Sequence, residues 1–308
     1  MGKSPHPRLK EMLLYFKCAA RVPQERRIPM NYITVDRENS TTVDLYYEDH
    51  GMGKPIILIH GWPLSSVSWE KQIPALLSAG YRVITYDRRG FGYSSKPAFG
   101  YDYDTFAADL DKIITKLDVH DAALVGFSMG GGEVARYIGT YGTRRVSKAV
   151  FMAAVTPFLL KTSENPQGVD GSVFEEIRAA IAADRPAYLS RFLSDFYNVD
   201  SLGKTVISDQ AVRLSWNIAS LASPIGTLDC VLAWLTDFRE DLKRIDVPTL
   251  IIHGDDDRIL PLTATGIATH RTVKGSRLVV IEGGPHGLTW THSRQVNREL
   301  LEFLWKAE

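Results

Sequence analysis

The 308-residue chain has two cysteines, Cys18 and Cys230. They are too few for a disulfide framework and lack metal-ligand spacing, so a reducing compartment is expected. Net charge is missing as well, because Lys plus Arg and Asp plus Glu both count 36. A balanced surface gathers neither nucleic acid nor an anionic membrane, which points to a small, mostly neutral partner. Long apolar runs are also absent. The longest in the first thirty residues, Met12 to Phe16, falls short of the roughly 7 to 15 residues of a signal peptide, and nothing approaches a span of about 20. The sequence shows no internal repeat and no low-complexity tract. The expectation is a cytoplasmic protein with no membrane segment; a basic N-terminal extension over residues 1–30 leaves organelle targeting open.

What is present is a rhythm. "YITVD" (32–36) and "TVDLYYED" (42–49), rich in β-branched and aromatic residues, predict an antiparallel pair at a sheet edge. From Pro55 onward the short apolar runs "IILIH", "RVITYD", "AALVGF", "SKAVFMAA", "PTLIIHG" and "SRLVVIE" read as strands buried on both faces. Helical patterns lie between them at 66–79, 104–117, 130–142, 263–273 and 293–306. The alternation predicts an α/β fold with a mostly parallel sheet, helices on both faces, and ligands bound outside the carboxyl ends of the strands. Residues 157–246 break the rhythm with helical segments at 172–183, 185–197 and 208–222 and no strand between them. The expected organisation is a core of 31–156 and 247–308 with an inserted helical cap at 157–246.

Chemistry should then sit just after a strand. "GFSMGGGEVARYI" (126–138) follows the run "AALVGF" and opens a helix. That strand–turn–helix setting is what a nucleophile elbow requires, with Ser128 at the corner and Gly126 and Gly130 allowing strand and helix backbones to pass closely. A serine hydroxyl needs a base, and the base needs a group to orient it. "IIHGDDDRILP" and "IEGGPHGL" end the last two parallel strands and supply an acid and then His286. His253 lies within a strand-end run and reads as a core imidazole, and His292 at the start of the last helix is the remaining rival base. Among the acids, Asp255 can cap its own turn by bonding an N–H two residues on, and Asp256 lies at the tip. Asp257 is best placed to reach a neighbouring loop, with Asp255 as the alternative.

Negative charge on a tetrahedral intermediate is best met by backbone N–H groups, one from the residue after the nucleophile and one from an earlier strand-end loop. These are Met129 and Trp62 of "HGWPLSSVSW"; Pro63 has no N–H to offer. Phe127, beside the nucleophile, and Phe158 and Trp216, in the cap, are candidate pocket residues.

With these residues in place, the chain resembles the α/β-hydrolases over about residues 31–306. More narrowly it resembles the cofactor-free haloperoxidases, or perhydrolases, with their related aryl esterases and γ-lactamases. The stretches that carry this are "HGWPLS", "YDRRGFGYSS", "YDYDTFAADL", "GFSMGGGEVARYI", "AAVTPF", "TDFREDLKRIDVPTLIIHGDDDRILP" and "PHGLTWTH". The resemblance implies a triad of Ser128, Asp257 and His286, oxyanion donors at Trp62 and Met129, no metal, no haem and no other cofactor. It also implies trimers or dimers of trimers. The expected function is a serine hydrolase that forms an acyl-enzyme on Ser128 from small aryl or alkyl esters and passes the acyl group to water or hydrogen peroxide. Lactone or γ-lactam hydrolysis on the same triad, or a slow or non-catalytic small-molecule receptor, are the alternatives.

Overall fold

The computed structural model describes residues 31–203 and 206–305; the expected N-terminal extension, 1–30, lies outside the described residues. Eight strands form one sheet: β1 (Tyr32–Glu38), β2 (Thr41–His50), β3 (Pro55–Ile59), β4 (Arg82–Tyr86), β5 (Ala122–Phe127), β6 (Val146–Met152), β7 (Thr249–Gly254) and β8 (Arg277–Ile281). Their order is β1-β2-β4-β3-β5-β6-β7-β8. β1 and β2 pair antiparallel at one edge, β2 meets β4 antiparallel, and every later pairing is parallel. β5 and β7 are buried at every residue, as the uninterrupted runs "AALVGF" and "TLIIHG" require of strands covered on both faces. β8, at the other edge, is only partly buried.

Eleven helices accompany the sheet among the described residues. Those between core strands are α1 (Ile73–Ser78), α2 (Tyr103–Lys116) and α3 (Met129–Tyr141). A 3-10 turn at Ser66–Trp69 divides the stretch that reads as one helix over 66–79. Asp102 caps α2 by accepting from the Thr105 N–H, and a stripe of Phe106, Leu110, Ile113 and Ile114 buries its inner face.

Between β6 and β7 lie α4 (Gly171–Phe196), α5 (Val199–Leu202), α6 (Asp209–Ser220), α7 (Pro224–Ala233) and α8 (Arg239–Leu242). Among the described residues, strand pairing in this region is limited to isolated bridges, Leu160 with Val169 and Thr162 with Asn165. The two segments expected at 172–183 and 185–197 form one helical run broken at Asp184, whose φ of −156° and ψ of 86° leave the helix just before Pro186. Proline removes an N–H and crowds the preceding turn, so the break falls where the sequence demands it. Arg185 holds the break by donating to the carbonyls of Ala219, Ser220 and Ala222. The helix α7 is not apparent from periodicity, because its residues are apolar on most sides; Pro224 at its first position and the Ser223 cap mark its start. After β7 and β8 come α9 (Gly266–Thr272), α10 (Leu288–Thr291) and α11 (Ser293–Trp305). No helix among the described residues is long and apolar enough to cross a membrane.

Candidate active site

The carboxyl ends of β3, β5, β7 and β8 share one edge of the sheet, and four loops meet there. Ser128 follows β5 at φ 55°, ψ −118°. A side chain in the left-handed region costs of order 1–3 kcal/mol and persists only where the surroundings enforce it. Here they do. The Ser128 N–H donates to Met152 O (2.9 Å) and its carbonyl accepts from Gly131 N (3.0 Å) and Val155 N (3.2 Å). The flanking glycines allow the corner: a Cβ on Gly126 would stand 2.4 Å from Gly130 O, and one on Gly130 2.3 Å from Ile59 O.

The three residues singled out at separate strand ends come together. His286 Nδ1 lies 2.7 Å from Asp257 Oδ2 and Nε2 lies 2.9 Å from Ser128 Oγ, all three side chains being buried. An ionised carboxylate only accepts, so Nδ1 carries the hydrogen and Nε2 is left to accept the serine O–H. Asp257 is the best-satisfied carboxylate of the site: its Oδ1 accepts from the N–H groups of Ile259 (2.9 Å) and Leu260 (2.8 Å). Burial alone would raise its pKa, but the charge of His286 and the hydrogen bonds from His253 and His286 outweigh it and hold Asp257 well below the usual carboxylate range.

Asp255 does not cap its own turn. Its Oδ1 accepts from Gly283 N (2.7 Å), because the loops after β7 and β8 run side by side and Gly283 turns back toward it at φ 65°. Asp256 accepts from Asn198 Nδ2 through both its carbonyl (2.8 Å) and its carboxylate (2.7 Å). His292, the rival base, is partly buried, pairs with Thr291 Oγ1 (2.9 Å), and has its pKa lowered by burial against the opposing charge of Asp255.

The loop carrying Trp62 passes close to Ser128, since a Cβ on Gly61 would stand 2.8 Å from Ser128 Cβ. Met129 is the first residue of α3, where an N–H has no partner within the helix. Among the described residues neither the Trp62 nor the Met129 amide meets an acceptor. The loop is pinned from below by groups that the motif search left without a role. His60 Nδ1–H donates to Gly61 O (2.8 Å), its Nε2 accepts from Arg88 N (2.9 Å), and Arg88 Nη2 donates to His60 O (2.9 Å). Burial, with the Arg88 charge beside it, pushes the His60 pKa down and keeps the ring neutral. Arg88 itself pairs with Glu133 at 2.7 Å, both side chains buried, and Tyr86 donates to the same carboxylate. "YDRRG" was visible in the sequence; that Arg88 is buried under the loop was not.

Of the candidate pocket residues, Phe127 lies 5.2 Å from the His286 ring. Phe158 instead packs under the Arg239 guanidinium (5.2 Å), and Trp216 donates from Nε1 to Pro186 O (3.4 Å). Trp216 lines a cavity of about 400 Å³ between α4 and α6 with Ser190, Leu193, Val212 and Arg213. The aromatic wall near the site is built from residues that sequence reasoning missed. Phe196 stands 5.0 Å from His286, and Tyr188 and Phe192 stand 6.4 and 4.9 Å from Trp62. Their i, i+4, i+8 spacing on α4 is the available signal. Among the described residues no group of three or more His, Cys, Asp or Glu is placed to hold a metal ion.

Residues 54–293 match the family profile described as alpha/beta hydrolase fold. The chain belongs to the alpha/beta hydrolase family. A protein of Synechocystis sp., whose name assigns it provisionally to the non-heme chloroperoxidases, is 63% identical over 275 residues, covering 89% of this chain and all of that one. The bifunctional esterase/perhydrolase of Acinetobacter calcoaceticus is 37% identical, covering 89% of this chain and 99% of its own. Among solved structures, the bromoperoxidase of Bacillus anthracis superposes with a TM-score of 0.87 at 49% identity, over 90% of this chain and 100% of the other. This alpha/beta hydrolase is thus an enzyme with relatives named for halide oxidation, ester hydrolysis and perhydrolysis.

Proposed function

We propose that the protein is a serine esterase and perhydrolase acting on small carboxylic esters through an acyl-enzyme on Ser128. The observation that carries this is the relay from Ser128 Oγ to His286 to Asp257, at 2.9 and 2.7 Å, at the end of three separate strands. His286 Nε2 takes the serine proton as Oγ attacks the ester carbonyl, and Asp257 holds the imidazole in the tautomer that can accept it. The oxyanion that forms is met by the free amides of Trp62 and Met129, which need no reorganisation. His286 then returns the proton to the leaving alcohol. In the second half, water or hydrogen peroxide attacks the acyl carbon with His286 again as base, giving a carboxylic acid or a peracid. The peracid, released, is the oxidant for halide. Relatives named as non-heme haloperoxidases and as an esterase/perhydrolase support both branches.

p-Nitrophenyl acetate hydrolysis, with and without hydrogen peroxide, tests this. Steady turnover is expected, with peracid formed only when peroxide is present. Ser128→Ala should lose at least about 10³-fold in kcat while keeping its fold. Stoichiometric release of nitrophenol that then stalls would favour the receptor reading, and substantial turnover in Ser128→Ala would end this mechanism.

A further inference from the structure

Asp257 is not held by His286 alone. His253, four residues earlier on β7 and fully buried, brings Nε2 to 3.2 Å from the same Oδ2 and to 3.0 Å from Leu260 O. A carbonyl oxygen only accepts, so Nε2 carries the hydrogen, and that single N–H faces both the carbonyl and the carboxylate. The other ring nitrogen, Nδ1, is buried with no hydrogen-bond partner among the described residues. It lies against Gly266, where a Cβ would stand 2.9 Å away. A buried polar atom without a partner is costly, and an apolar side chain would fill this space without that cost. What the imidazole adds over an apolar side chain is its Nε2–H, bonded to Leu260 O and standing beside the Asp257 carboxylate.

We propose that His253 is a positioning residue, sharing its Nε2–H with Asp257 so that Oδ2 stays turned to His286. The proposal rests on the reading of Ser128, His286 and Asp257 as a working triad. Two backbone N–H groups hold Oδ1 and two imidazoles converge on Oδ2. Removing His253 frees the carboxylate to rotate about its Oδ1 anchor, and His286 follows it away from Ser128. His253 touches neither the serine nor the place where an ester would sit, so its loss changes turnover and leaves ester binding alone.

The test is p-nitrophenyl acetate kinetics on the full chain, with thermal unfolding measured alongside. His253→Phe should lower kcat about tenfold, the value of one hydrogen bond to a charged group, with KM unchanged within about twofold. His253→Gln, whose amide N–H reaches roughly where the imidazole Nε2–H lies, should recover kcat to within about threefold of the parent. In an Asp257→Asn background the same His253→Phe change should cost less than about twofold, because the group it acts through is already disabled. An unchanged kcat in His253→Phe would overturn the proposal. So would a Gln variant no better than Phe at equal folded fraction, or the full tenfold loss persisting beside Asp257→Asn. Should Phe prevent folding, His253→Asn takes its place: it is polar but too short to reach, and a kcat equal to that of His253→Gln would count against the proposal. Turnover that survives Ser128→Ala would sink the triad itself, whereas an unchanged His253 variant beside an inactive Ser128→Ala sinks the positioning role alone.

Discussion

Asp257 sits where burial pulls against the charge of His286 and the hydrogen bonds it accepts, and the charge and hydrogen bonds win. Its folded pKa lies below its unfolded value. The ionised carboxylate therefore contributes stability that is fully present above the ordinary carboxylate pKa of about 4 and is lost as the pH falls through the depressed folded value. The parent should lose stability relative to Asp257→Asn as the pH falls below about 4. Denaturant melts of both proteins from about pH 5 down to about pH 2 check it; a difference that does not change over that range would contradict the assignment. In activity the same substitution should cost up to about 10⁴-fold by leaving His286 the wrong tautomer. Asp255→Asn should cost far less, because Asp255 holds a loop amide and not the imidazole.

At the scale of the element, α4 reaches the site through its last turns. Phe196 O accepts from Gly287 N (2.7 Å), the amide next to His286, while Asn198 just beyond the helix grips Asp256, the neighbour of Asp257. Both strand-end loops are thus tied to the end of α4. The two sides of α4 do different work: Tyr188, Phe192 and Phe196 face Trp62 and His286, whereas Ser190 and Leu193 face Trp216. Phe192→Ala should therefore shift preference toward longer acyl chains by several-fold, a change on the scale of one or two methylenes of pocket. Trp216→Ala should leave the chain-length profile unchanged. Rates across a p-nitrophenyl ester series from acetate to octanoate decide between them, and a shifted profile in Trp216→Ala would return that residue to the pocket.

For the molecule as a whole, the Arg88–Glu133 pair joins the loop after β4 to α3 beneath the site. Burial raises the Glu133 pKa against the opposing charge of Arg88 and the hydrogen bond from Tyr86. Truncating one partner strands a buried charge, which typically costs about 3–5 kcal/mol, a large share of the roughly 5–15 kcal/mol that keeps a domain folded. Glu133→Ala should show this loss in urea unfolding, and a loss under about 1 kcal/mol would mean that the pair is not carrying the core. Because Arg88 Nη2 also holds His60 O, the folded fraction of that variant should have lowered kcat.

Strand positions and types were legible because a strand buried on both faces is apolar at most of its residues, and "AALVGF" or "TLIIHG" admits few other readings. That Ser128, Asp257 and His286 meet was legible for a related reason: loops at the carboxyl ends of parallel strands converge, so chain order and strand ends together predict which side chains come together. Contacts that depend on the third dimension were not. The burial of Arg88 and Glu133, the crossing of Asp255 to Gly283 and the approach of Phe196 to His286 join residues far apart in sequence, and the approach of His253 to Asp257 depends on how the loop after β7 turns back. The sequence by itself determined which residues can carry the chemistry, since that is a matter of functional group and local backbone. Only the tertiary structure decided which groups support them, because a hydrogen bond is fixed by distance and burial, and those arise when the strands and helices are packed together.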